Sequence, residues 1–204
     1  MSQFLRQNVR AARTILTPTF WCLTAAICLN DKLIEIVSVN GPSMLPTLSP
    51  TYHETGGKDY LLLSKWAPTR KLKRGDIVSF YTPHKPDMLG IKRVVALEGD
   101  LVEVDGRRMA KDEVAGGRSV YHENMRMKIM VPVPKGHVWV EGDNWRKSKD
   151  SNDYGAISKG LINGKAVCVL WPLGRFWQKP WNGFEGIARV RPGQGAVLMA
   201  LDDS

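Results

Sequence analysis

Beyond Leu33 the chain breaks into short runs of valine, isoleucine, leucine and tyrosine, each closed by Gly, Pro, Asp or Asn. Such runs read as strands, because branched and aromatic side chains suit a pleated, half-buried surface and the closing residues suit turns. The expected strands are Leu33–Val39, Tyr60–Ser64, Asp76–Tyr81, Ile91–Glu98, Leu101–Val104, Met125–Val133, His137–Glu141 and Lys165–Trp171. Turns are expected at Asp105-Gly106, Pro134-Lys135-Gly136 and Asn163-Gly164. The pattern favours a mainly β domain of coiled, antiparallel sheets over an alternating βαβ fold.

The start of the chain is different. From Met1 to Asn30 there is no acidic residue, and Arg6, Arg10 and Arg13 precede the apolar run Ile15 to Leu29. A basic head before a greasy segment reads as one transmembrane or deeply inserted helix, with a cleaved targeting segment or a buried helix as the alternatives. The run is shorter than the ~20 residues that span a bilayer core, although Leu33, Ile34 and Ile36 extend its apolar surface. The positive-inside rule and the Arg-bearing, acid-free start together suggest a matrix-side N-terminus and a domain in the mitochondrial intermembrane space, although the same pattern suits a bacterial or reticulum membrane protein. The organisation expected is therefore a basic segment and anchor over residues 1–32, one β domain over 33–171 and an extension over 172–204. That extension combines Phe176, Trp177, Trp181 and Phe184 with Arg175, Lys179, Arg189 and Arg191. The mixture suits a membrane interface, or equally a tail that wraps the domain or a partner.

Composition narrows the function classes. The chain carries 29 Lys and Arg against 20 Asp and Glu, a net charge of +9, which favours anionic partners such as phospholipid headgroups. The aromatics do not interleave with the basic residues as they do in nucleic-acid-binding surfaces, so no nucleic acid is expected. Cys22, Cys28 and Cys168 have no paired spacing, and His53, His84, His122 and His137 form no HExxH or Cys/His cluster. No disulfide framework, metal or cofactor is expected.

Three blocks carry chemistry. In Gly41-Pro42-Ser43-Met44-Leu45-Pro46 a serine sits between two prolines directly after an expected strand. Both prolines fix their own φ and push the preceding residue toward extended geometry, so the hydroxyl should sit on a stiff, non-helical turn, as a nucleophile requires. In Gly90-Ile91-Lys92-Arg93-Val94-Val95-Ala96 a lysine lies inside an apolar strand. Burial disfavours its charged form, and a depression of roughly 3 from ~10.4 would make it a base at neutral pH. Strand alternation sends Lys92 and Arg93 to opposite faces, and both faces are apolar, so periodicity leaves open which one is buried. Arginine keeps its proton and cannot act as the base. The third block, Gly142-Asp143-Asn144 through Ser148, Asp150 and Asn152, is dense in short polar side chains after the strand His137–Glu141. Asp and Asn there can simply build turns, while Ser148 could supply the hydrogen bond that orients a neutral lysine.

The three blocks, in this order and after an apolar segment, resemble the type I signal peptidase family, in its mitochondrial inner-membrane branch, from about Leu33 to Trp171. The resemblance implies a β-rich fold of the signal-peptidase type and a serine endopeptidase that cuts sorting or signal sequences from precursor proteins. By position it makes Ser43 the nucleophile, Lys92 the general base, Ser148 the serine that orients the lysine, and Asp143 and Asp150 the acidic residues that shape the site. The oxyanion would be held by the Ser43 N–H. Bacterial relatives carry a hydroxyl where this chain has Gly41. Ala96 and Glu98 likewise stand where those relatives usually have Gly and Pro, and Asn152 replaces a common arginine. A substrate would lie extended against Ile36–Pro42 and Leu89–Ile91, touching Ile36, Val39, Pro42, Met44 and Ile91. The branch implies a sister catalytic subunit in a hetero-oligomer. The rival readings are a scaffold that only stabilises a partner peptidase, and a self-cleaving repressor-like protein, for whose DNA-binding module residues 1–32 are too short and too apolar.

Overall fold

The computed structural model describes residues 17–21, 24, 32–105, 128–184 and 189–193. Its main element is a seven-stranded antiparallel sheet in the order β1-β2-β9-β3-β4-β7-β8. The strands are β1 (Ile34–Ser38), β2 (Tyr60–Ser64), β3 (Ile77–Thr82), β4 (Lys85–Leu97), β7 (His137–Glu141), β8 (Ile157–Ser158) and β9 (Ile162–Trp171). A second sheet, in the order β10-β5-β6, joins Val190–Arg191, Leu101–Asp105 and Lys128–Pro132. Two single-turn helices lie between the strands, α1 (Tyr52–Thr55) and α2 (Ser151–Tyr154), with 3-10 turns at Pro42–Met44, Lys159–Leu161 and Leu173–Arg175. The mainly β, antiparallel expectation thus holds.

Register shifts interrupt the pairing of β2 with β9, β3 with β9, β3 with β4 and β4 with β7. Bulges of this kind bend a strand and increase its twist, which is how a sheet of this width coils. Three apolar clusters fill the interior. One gathers Val39, Met44, Leu48, Leu61, Leu63, Ile77, Ala166, Val169 and Trp181 around the nucleophile block. Another joins Val78 and Phe80 of β3 to Val94, Val138 and Val140. The third packs Val95, Ala96 and Trp139 against Val102 and Val104 of the second sheet.

Several expectations need correction. Asn163-Gly164 is no turn but lies within β9, at the bulge where Ser79 faces Gly164 and Phe80 faces Ile162. The irregularity is real; the neighbouring β3 simply keeps the chain paired through it. β4 begins at Lys85 rather than Ile91. The expected anchor falls mainly outside the described residues; of it, residues 17–21, 24 and 32 are helical. No helix among the described residues is long and apolar enough to cross a membrane.

Candidate active site

The chain leaves β1 through Val39, which is buried, and turns at Gly41. Gly41 has φ 91°, a region that side chains disfavour, although the space around it is open. A residue with a side chain would be strained there by its backbone, and glycine itself brings no hydroxyl to the turn. Pro42–Met44 then forms one 3-10 turn with proline in its first turn. The expected non-helical turn is corrected here: proline's missing N–H and fixed φ suit a helix start, where donors lack partners anyway. Leu45, ahead of Pro46, is extended as expected (φ −67°, ψ 147°). Met44 and Leu48, each 1% exposed, pin the turn into the core. The Ser43 carbonyl accepts the Asn144 N–H at 2.9 Å, tying the first block to the third.

Lys92 lies opposite Val78 in β3 and is buried. Its Nζ is hydrogen-bonded to Ser43 Oγ at 2.8 Å, across 49 positions of sequence. Burial pushes the ammonium below its ordinary value, against the opposing pull of the Asp150 and Asp143 carboxylates. The question left open by periodicity resolves unexpectedly: Arg93 on the other face is buried too. Its guanidinium forms a fork with Asp143, Nε to Oδ1 at 2.8 Å and Nη2 to Oδ2 at 2.6 Å. It also donates to the Gly75 carbonyl at 3.2 Å and to Thr47 Oγ1 at 3.3 Å. Arg93 therefore links the strand bearing Lys92 to both the nucleophile loop and the third block.

Asp150 caps α2. Its Oδ1 accepts the Asn152 N–H at 3.1 Å and Asn152 Nδ2 at 2.8 Å, while Oδ2 accepts the Gly142 N–H at 3.0 Å. The Asn152 amide is thus a direct partner of the Asp150 carboxylate. A Cβ on Gly142 would lie 2.6 Å from the Ser43 carbonyl and 2.3 Å from Ser148 Oγ, so glycine alone permits this approach.

Residues 12–171 match the family described as signal peptidase, peptidase S26. The chain belongs to this family. Among curated relatives, the mouse (Mus musculus) mitochondrial inner membrane protease subunit 2 is 37% identical over 161 residues, covering 78% of this chain and 79% of the relative. The Saccharomyces cerevisiae protein of the same name is 35% identical over 169 residues, covering 82% and 84%. A crystal structure of signal peptidase I from Enterococcus faecalis aligns at 22% identity with a TM-score of 0.33, over 47% of this chain and 96% of that one. The protein is accordingly a serine peptidase of the mitochondrial inner membrane.

In this signal peptidase the structure brings together Ser43 and Lys92, and it sets Asp143 and Asp150 behind them. Ser148 differs from expectation. Its hydroxyl is buried without a hydrogen-bond partner among the described residues, so the expected bond to Lys92 is not formed. Among the expected substrate contacts, Ile36 is 58% exposed, and Pro42 and Ile91 are half-buried. Val39 and Met44 belong to the core, 2% and 1% exposed, and present no surface to a peptide. Alternation along β1 carries Val39 inward, and the 3-10 turn carries Met44 down beside it. Among the described residues, β1 ends the sheet with one unpaired side, and no strand pairs the second side of β4 from Lys85 to Lys92. A cleft of about 600 Å³ lined by Thr82, His84, Lys85, Met88, Lys149, Asp153 and Tyr154 adjoins that open stretch. Arg93, Asn152 and Thr47 join the site although the sequence pattern assigns them no role in it. For Arg93 the local signal is its adjacency to the lysine, and for Asn152 its place as a departure two positions from Asp150.

Proposed function

We propose that this peptidase removes sorting or signal sequences from precursors delivered to the intermembrane space, with Ser43 as nucleophile and Lys92 as general base. The observation that carries the reading is the 2.8 Å contact between the Ser43 hydroxyl and a buried Lys92 amine held below its ordinary pKa. With Lys92 neutral, the hydroxyl donates its proton to Nζ as Oγ attacks the scissile carbonyl carbon. The oxyanion meets the Ser43 N–H, which sits at the start of the 3-10 turn and has no acceptor within that turn. Collapse breaks the C–N bond, the leaving amine takes the proton from Lys92, and an ester on Ser43 remains. Water, deprotonated by Lys92, then attacks the ester; the acid leaves and Ser43 regains its proton.

Asp143 and Asp150 fit a supporting role, since both carboxylates are bonded within the frame and both act on the Lys92 charge. Ser148, buried beside Gly142, would orient the lysine once its hydroxyl is turned to meet the amine. The unpaired sides of β1 and of β4 between Lys85 and Lys92 fit an extended peptide added as a strand, meeting Ile36, Pro42 and Ile91. Residues 1–32 would anchor the catalytic domain, 33–171, on the intermembrane-space face of the membrane. The subunit names of the relatives favour a hetero-oligomer with a sister catalytic subunit. A purely scaffolding role leaves the Ser43–Lys92 contact without a purpose. The test is precursor cleavage by purified protein, with and without the sister subunit. Ser43→Ala and Lys92→Met should each abolish processing of this subunit's precursors, and cleavage at the normal rate in either variant contradicts the assignment.

A further inference from the structure

The family match ends at Trp171, yet residues 172–184 turn back onto the nucleophile loop. The Trp177 N–H donates to the Val169 carbonyl at 2.8 Å and the Val169 N–H donates to the Gln178 carbonyl at 2.9 Å, folding the segment against β9. Trp181 is 7% exposed and packs in the same cluster as Val39, Met44 and Leu48. The Phe184 ring lies 4.8 Å from the Arg93 guanidinium.

Arg175 stands between these contacts. Its Nη2 donates to the Thr47 carbonyl at 2.7 Å, and its Nη1 donates to Asp59 Oδ2. Asp59, 2% exposed, closes the nucleophile loop at both ends. Its carbonyl accepts the Val39 N–H at 2.8 Å, its Oδ2 accepts the Ser49 N–H at 2.8 Å, and its own N–H donates to Ser49 Oγ at 3.0 Å. Ser49 has φ 52°, a left-handed conformation costly for any residue but glycine, so contacts rather than local preference hold it there. A buried carboxylate needs a cation beside it, and Arg175 supplies one while bonding the loop at a further point. Thr47 is consequently gripped twice, at its carbonyl by Arg175 and at its hydroxyl by Arg93, the neighbour of Lys92.

We infer that Arg175 is a positioning residue that keeps the Ser43 loop in register with Lys92, so that a segment beyond the family match sets the geometry of the dyad. The inference rests on the Ser43–Lys92 reading above. The planar guanidinium suits the task because one fork reaches two acceptors, which an ammonium cannot do with the same geometry. Misplacement of a reacting group by about 1 Å can lower a rate by about 100-fold.

The test compares full-length Arg175→Gln, Arg175→Lys and Leu173→Ala; Leu173 lies on the same turn but is 70% exposed. Arg175→Gln should lower kcat by about 10- to 100-fold with KM changed less than about two-fold, Arg175→Lys should fall between, and Leu173→Ala should match the wild type. Amide exchange at Leu48 and Ser49 should accelerate in Arg175→Gln while Val94 and Val140 keep their protection. A wild-type kcat in Arg175→Gln overturns the inference, as does a loss of activity accompanied by equal loosening of Val94 and Val140, which marks general destabilisation. Ser43→Ala is assayed alongside. If that variant is inactive and Arg175→Gln is fully active, the role of Arg175 alone falls; if Ser43→Ala remains active, the dyad falls with it.

Discussion

From Lys85 to Leu89, β4 is exposed and, among the described residues, has only β3 beside it, whereas from Arg93 to Leu97 it also pairs with β7 and is buried as far as Ala96. Lys92 is the last residue before the second neighbour begins. A catalytic lysine needs burial to shed its proton and an open side to meet a peptide, and these demands conflict at most positions of a sheet. A strand that passes from one neighbour to two satisfies both at the junction. The same contrast separates the adjacent cations. Arg93 keeps its charge and is matched by the Asp143 fork, while Lys92 has a hydroxyl partner and carboxylates further off.

Breaking the buried half should have the largest effect. Arg93→Met leaves Asp143 without its cation and removes the bond to Thr47; loss of one partner from a buried ion pair costs about 3–5 kcal/mol. Urea unfolding of Arg93→Met should show a fall of that size. A change below about 1 kcal/mol would mean that the network is ornamental to stability.

The junction itself should respond to pH. Because the folded pKa of Lys92 lies below 10.5, the unfolded chain holds a proton that the folded chain lacks between the two values. Stability of the wild type relative to Lys92→Met should therefore rise with pH across that window, by up to about 1.4 kcal/mol per pH unit, and level off on either side. A gap that is constant with pH would show that burial does not act on the amine.

The open half sharpens the comparison through a small effect. Met88 and Leu89 are 55% and 40% exposed, so Met88→Ala and Leu89→Ala should change stability by less than about 0.5 kcal/mol while raising KM for a precursor peptide. An unchanged KM in the pair would place the substrate away from this edge.

The two halves also differ in how well the sequence announces them. Tyr60–Ser64 and His137–Glu141 are strands with the expected limits, because apolar residues fill them and turn residues bound them. The outer half of β4 was hidden by Lys85-Pro86-Asp87, a polar stretch containing proline that reads as a loop. Proline is tolerated there because this part of the strand is an edge and its missing N–H deprives no neighbour. The two-residue strands β8 and β10 are too short to leave a periodic signal. Within the site, Ser43 and Lys92 were legible because their chemistry is unusual for their surroundings. The partner of Asp150 was legible only as a departure at Asn152, and Arg175 gave no signal, since its two acceptors lie 116 and 128 positions away. Side-chain contacts at that range depend on how the sheet closes, which no local pattern encodes.

The most direct measurement is an NMR titration of the lysine side chains in the folded enzyme, with Lys92→Met identifying the Lys92 resonance. The account predicts that this amine loses its proton below 10.5, and that kcat/KM rises over the same pH range as the neutral form appears. A Lys92 resonance that titrates with the exposed lysines, while the enzyme is already fully active at neutral pH, would contradict it.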